Sequence, residues 1–185
     1  QMLDCAQGLP DFLRAYFHMK SADWPGNKPA PLAAASAADL ATMPEYYVMA
    51  MDKTMPQTVA QAMPTAEQVS ACAWLPDKDL AVYALSFAAT GFQGGLQWYR
   101  EFGSAASQAE LLLFAGQIIS VPACFIAGAS DWGIYQSPGA FEAMQSLACS
   151  DLRSCNLIPD AGHWVQQEQP EVVVDKLLAF LAGLR

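Results

Sequence analysis

At 185 residues and 19.9 kDa, with 54% hydrophobic and 15% charged residues, the chain has the composition of one globular unit with room for a sizeable core. Its formal charge of −9 speaks against nucleic acid or an anionic membrane as partner, since both are held by clustered Lys and Arg. No apolar run approaches the ~18 residues of a membrane-spanning helix, and Gln1–Cys5 lacks the basic start of a signal peptide.

Taken in order, residues 4–18 read as a loop and then a short amphipathic helix, with Leu9, Phe12, Leu13, Tyr16 and Phe17 as its apolar set. Residues 21–34 are dense in Pro, Gly and Asn and must be a loop. Ser36 can cap a short helix through about Thr42. Residues 44–52 are apolar and Met-rich, and Pro56 interrupts before another short helix ending near Pro64. The capping-box pattern Thr65-Ala66-Glu67-Gln68 opens a helix to about Trp74. Pro76-Asp77 starts the next, which Gly91 stops. Residues 94–102 form a further short helix bearing Trp98 and Tyr99. Residues 36–102 are therefore short helices in series, without a strand signal.

Residues 108–116 lead into the stretch that carries the chemistry. VPACFIA at 121–127 is a short apolar run between Pro122 and Gly128, the pattern of a strand buried on both faces. Asp131 follows at once. Ser137-Pro138 then opens a helix through about Leu147, with Ser as N-cap and Pro at the first helical position. A second strand, residues 153–158, ends in Pro159-Asp160-Ala161-Gly162-His163. This is one βαβ unit with parallel strands and a right-handed crossover. Parallel neighbours lie about 4.8 Å apart, so an acid and a histidine just past their carboxyl ends can meet. A carboxylate there fixes the tautomer of the imidazole and stabilises its protonated form. Taken singly, Asp131 also reads as a turn former, His163 as a loop cap and Tyr16 as a core aromatic. A last helix, residues 171–184 with Pro170 at its first position, places Val173, Leu177, Phe180 and Leu184 on one face of the sheet.

The five cysteines, Cys5, Cys72, Cys124, Cys149 and Cys155, include no C-x-x-C, which speaks against zinc or dithiol chemistry. Their scatter favours reduced thiols and a cytoplasmic protein.

ASDWG, then DAGHWVQQEQPE some thirty residues on, then an apolar helix, together resemble the end of an α/β-hydrolase of the epoxide-hydrolase branch. GFQGGLQWYR at residues 91–100 is similar to that family's cap segment, and LRAYFH at 13–18 to the segment that supplies a second cap tyrosine. The resemblance implies the carboxyl-terminal part of an α/β-hydrolase fold, its last two parallel strands and flanking helices, with an all-helical cap. Residues 1–107 would be the cap and residues 108–185 the core portion. Asp131 and His163 would then be the acid and base of a catalytic triad. Tyr99 and Tyr16 would bind the epoxide oxygen, and Trp98, Trp132 and Trp164 would contact a small apolar substrate. No metal or organic cofactor is implied.

The nucleophile elbow G-x-S-x-G and the His-Gly oxyanion segment are absent from the 185 residues. By resemblance, the nucleophile is an aspartate on an amino-terminal half not contained here. The expected partner is that half, as a separate or unassigned chain, with a homo-oligomer as the fallback. The isolated chain is then expected to be inactive. Three other readings stay open: a haloalkane or haloacid dehalogenase, a Ser esterase, and a non-catalytic small-molecule binder of the same fold.

Overall fold

The computed structural model describes residues 1–184. Its sheet has two strands, β1 (Ala123–Gly128) and β2 (Leu152–Ile158), paired in parallel with Cys124 opposite Ser154 and Gly128 opposite Ile158. The register shifts between Ala123 and Cys124, and an isolated parallel bridge between Ile119 and Cys149 extends the pairing backwards. Both strands end together, so the loops that follow them leave side by side.

Ahead of the sheet lie seven helices. They are α1 (Leu9–Lys20), α2 (Ala37–Leu40), α3 (Met55–Ala60), α4 (Ala66–Ala71), α5 (Asp77–Thr90), α6 (Gln93–Phe102) and α7 (Ala105–Leu112). Several are too short to stand without help, and caps supply part of it. Ser36 accepts from the Asp39 N–H at the start of α2. Thr54 with Gln57, and Thr65 with Gln68, form reciprocal capping boxes on α3 and α4. Gly91, at φ 69°, closes α5.

Packing supplies the rest, and α1 is its centre. Phe12, Leu13, Ala15, Phe17 and Met19 are buried with Val59 of α3 and with Leu75 and Leu80. The expected amphipathic helix is in fact enclosed on nearly every side, because Arg14, His18 and Lys20 are buried too. Arg14 meets this burial by donating to the Leu75 carbonyl at 2.5 Å and to Asp77 at 2.7 Å.

The crossover departs from expectation. Pro138-Gly139 forms a turn, with the Ala140 N–H bonded to the Ser137 carbonyl and Gly139 left-handed at φ 73°. Helix α8 therefore starts at Ala140, runs to Ala143, and widens into a π-helical turn at Met144–Ala148. Helix α4 stops at Ala71, three residues short of Trp74.

After β2 come a short helix α9 (Val165–Glu168) and the final helix α10 (Pro170–Ala182). Ile158, Ala161, Val165 and Val173 form a small core beneath them. Of the four apolar residues expected to cover the sheet, Val173 is buried, while Leu177 and Leu184 are exposed. A two-stranded sheet is too narrow to lie under the whole helix. Leu111–Phe114, Ile118 and Val121 are exposed as well. No described helix is long and apolar enough to cross a membrane.

Candidate active site

The two loops beyond the strands are tied to each other before any side chain is considered. The Ala129 N–H donates to the Ile158 carbonyl at 2.8 Å, and the Ser130 N–H to the Ala161 carbonyl at 2.9 Å. Gly128 permits this approach, since a Cβ there would overlap the carbonyls of Ala161 and Gly162. Gly162 permits a second one. A Cβ on it would lie 2.6 Å from the Lys20 carbonyl oxygen and 2.7 Å from the Ser21 carbonyl carbon. The end of α1 therefore presses directly on the histidine loop.

Within this frame, Nδ1 of His163 lies 3.3 Å from both carboxylate oxygens of Asp131. Asp131 also caps the 3-10 turn Trp132–Ile134, accepting from the Gly133 N–H at 2.8 Å. The Tyr47 hydroxyl stands 3.5 Å from the same oxygen. Burial pushes the Asp131 carboxyl up. The hydrogen bond and charge of His163, the Gly133 N–H and the charge of Lys20 outweigh burial and hold it below the usual carboxylate range.

A half-buried carboxylate fixes the loop that carries the histidine. Glu168 accepts from the N–H groups of Ala22 at 2.8 Å, Gly162 at 2.9 Å and Trp164 at 3.0 Å. Burial raises its carboxyl above the ordinary range against the pull of those three donors. The Trp164 indole N–H donates to the Phe17 carbonyl at 2.9 Å, and its ring meets the His163 ring edge-on at 4.9 Å.

Beside the pair sits a cation among aromatic rings. Lys20 Nζ lies over Tyr16 at 5.3 Å, Trp164 at 5.4 Å, and Tyr46 and Tyr47 at 5.7 Å each. Burial brings its ammonium down to about 8, opposed by the Asp131 charge. Tyr16, on the same face of α1, is pushed up to about 12 by burial and by Tyr99. Burial, followed by the Asp131 charge, raises Tyr47 as well.

Asp131, His163, Tyr16 and Trp164 thus share one neighbourhood. Tyr99 acts electrostatically on Tyr16 and Tyr47 from α6, where it is 70% exposed. Trp98 is 68% exposed on the same helix and packs edge-on against Phe102 at 5.3 Å. Trp132 is 6% exposed in a small core with Leu32 and Met43, and its indole N–H has no partner among the described residues. A groove of about 1050 Å³ bordered by Arg14, Met63, Cys72 and Leu85 includes neither Asp131 nor His163. It is a crevice among α1, α4 and α5.

No protein-family model matches the chain. Over 113 residues it is 42% identical to epoxide hydrolase A of Mycobacterium tuberculosis (strain ATCC 25618 / H37Rv), covering 60% of this chain and 33% of that protein. Epoxide hydrolase 2 of Siraitia grosvenorii matches at 29% identity over 152 residues, 77% of this chain and 46% of that one. An epoxide hydrolase from an endophytic Streptomyces superposes with a TM-score of 0.69 at 26% identity, over 97% of this chain and 47% of that chain. Potato (Solanum tuberosum) epoxide hydrolase I superposes with a TM-score of 0.57 at 28% identity, over 67% of this chain and 39% of that chain. This is part of an α/β-hydrolase fold resembling the epoxide hydrolases.

The parallel pair β1–β2 with α8 and α10 is the core portion of that hydrolase fold, and the helices before it form an all-helical cap. The chain spans about a third of the length of the first curated relative it matches. Sequence reasoning missed three residues that the fold brings beside Asp131 and His163: Lys20, Tyr47 and Glu168. For Lys20 a signal existed, since its spacing of four from Tyr16 puts both on one helix face. Tyr47 meets Asp131 from 84 residues away, and Glu168 joins its near neighbours Gly162 and Trp164 to Ala22, 146 residues back, a link of which local patterns carry no trace.

Proposed function

We propose that these residues serve an epoxide hydrolase that opens an epoxide to a diol through a covalent ester. The observation that carries the reading is the Asp131–His163 pair, with Nδ1 3.3 Å from both carboxylate oxygens beside the Tyr16 ring system. The likeness to epoxide hydrolases supports it. The nucleophile in this reading is an aspartate outside the 185 residues. Its carboxylate attacks an epoxide carbon, the ring C–O bond breaks, and the departing oxygen takes a proton from solvent through the cap tyrosines to become a hydroxyl. Tyr16 and Tyr99 donate to that oxygen as charge develops on it. His163 then takes a proton from water, and the resulting hydroxide attacks the ester carbonyl. The acyl C–O bond of the ester breaks, diol leaves with the aspartate restored as a carboxylate, and His163 releases its proton to solvent, matching the one taken up on ring opening. Asp131 holds the imidazole in the right orientation throughout.

The test uses the gene product that contains these residues. In a single turnover in ¹⁸O-water with enzyme in excess, the first diol released should carry no label, because its new oxygen comes from the aspartate. His163→Gln should accumulate protein heavier by the mass of the epoxide. Cleavage of simple esters with no diol formed from any epoxide would replace this reading with that of an esterase.

A further inference from the structure

His163 is held in two ways, by its ring and by its backbone. The ring meets Asp131 with Nδ1 3.3 Å from each carboxylate oxygen, well beyond the ~2.8 Å of a strong charge-assisted bond. So long and even a contact selects which nitrogen faces the acid, but it lets the ring slide between the two oxygens. The backbone is gripped more tightly. Glu168 takes the Gly162 N–H on Oε2 at 2.9 Å and the Trp164 N–H on Oε1 at 3.0 Å, so one carboxylate holds the amides on both sides of His163. Oε2 also accepts from the Ala22 N–H at 2.8 Å, which anchors this clamp to the chain just past α1. A carboxylate fits because it offers two acceptor oxygens, where a hydroxyl or an amide offers one.

The loop needs such a clamp. Asp160 turns it at φ 54°, in the left-handed region that no other described non-Gly residue enters. Gly162 packs against the backbone of residues 20–22, and Gln169 holds the Asp160 carbonyl at 3.2 Å. A turn of this kind keeps one shape only where its surroundings over-determine it. Were the two flanking amides released, the bond from the His163 N–H to the Lys20 carbonyl would be the nearest tie left, and chain hung from one point can pivot. We propose that Glu168 is a positioning residue for the base: by holding the Gly162 and Trp164 amides it aims the His163 imidazole, so that Nε2, turned away from Asp131, reaches the hydrolytic water. Glu168 therefore serves ester breakdown and has little part in ring opening, where Tyr16 and Tyr99 act. The step it serves rests on the epoxide-hydrolase reading, whereas the aiming of the ring does not.

The test uses the gene product that contains these residues, at a temperature where the variants keep native circular dichroism. Rapid-quench kinetics separates ring opening from ester breakdown. Glu168→Ala should slow ester breakdown about 10²-fold, the cost of a reacting group misplaced by ~1 Å, and slow ring opening far less. Glu168→Gln, whose oxygen replaces Oε2 but not Oε1, should slow ester breakdown about tenfold with the same selectivity, and it carries the test if Glu168→Ala does not fold. Equal slowing of both phases overturns the proposal, as does a lowered melting temperature with ester breakdown unchanged. A second readout is the downfield proton resonance of His163 Nδ1–H, identified by its loss in His163→Gln. It should be sharp in the wild type, weaker in Glu168→Gln and lost in Glu168→Ala. Should no epoxide be opened, the epoxide-hydrolase reading fails and this resonance decides for Glu168. Its weakening in the folded variants supports the aiming role, and an unchanged resonance overturns it.

Discussion

The His163 N–H donates to the Lys20 carbonyl at 2.9 Å, so the loop carrying the histidine hangs from the last turn of α1. The final carbonyls of a helix lack intrahelical partners, and here the fold uses one to hold a catalytic candidate. Two further bonds reinforce the seam, Trp164 to the Phe17 carbonyl and Ala22 to Glu168. The geometry of the Asp131–His163 pair is therefore set as much by the cap as by the sheet.

Gly162→Ala should break this seam. The new Cβ meets backbone of residues 20–22 that cannot rotate away, a form of overpacking that costs about 3 kcal/mol. Thermal unfolding should then fall by about 10 °C. An unchanged melting temperature would mean that the α1 terminus yields freely and does not fix the histidine.

Glu168→Ala should cost about 3 kcal/mol, because three backbone N–H groups lose their acceptor at once. Glu168→Gln, which keeps one oxygen, should cost less. The Glu168 carboxyl is raised above its unfolded value, so the stability it contributes is complete below that value and is lost as pH rises through the folded one. Denaturant titrations should therefore show the gap between wild type and Glu168→Gln narrowing as pH rises above the ordinary carboxylate range.

Lys20 carries the opposite sign. Its folded value, about 8, lies below its unfolded one. The unfolded chain then binds more protons between the two, and folding stability rises with pH across that window. Relative to Lys20→Met, the wild type should gain stability from about pH 8 to about pH 10. A flat difference across this range would show that the cage does not desolvate the ammonium.

Tyr16→Phe and Tyr99→Phe in the gene product should each slow epoxide opening by about 10²-fold, the cost of losing one donor to a developing oxyanion. Breakdown of the ester should change far less, because neither hydroxyl takes part in it. Rapid-quench measurement of the two phases separates these effects. Equal slowing of both would assign the tyrosines a structural role.

The parts of the site legible in the sequence are those governed by period and position. The run at 121–127 and the segment at 153–158 announced two strands, observed as Ala123–Gly128 and Leu152–Ile158. Parallel pairing then brought Asp131 to His163. Pro76, Gly91 and the Thr65–Gln68 box marked helix ends correctly because caps are local chemistry. Tertiary packing escaped the reading. The polar side chains of α1 gave it an amphipathic look, yet Arg14 and Lys20 are buried by partners 27 to 144 residues away. The Ser137-Pro138 signal was read as a helix cap, but with Gly139 left-handed it makes a turn first. Helices α7 and α9 went unseen, the first for its weak apolar periodicity, the second for its length of four residues.

Trp164 touches the His163 ring on one side and lies beneath the Lys20 ammonium on another. Indole emission responds to charge placed close to the ring, so this side chain is a built-in fluorescent reporter. Deprotonation of Lys20 would remove a positive field acting on a single indole, shifting its band without any label attached. The four other tryptophans are distributed over α6, the 3-10 turn and the loops, and subtracting the spectrum of Trp164→Phe isolates the signal. The charge state of this neighbourhood can thus be followed by light under conditions where no turnover takes place.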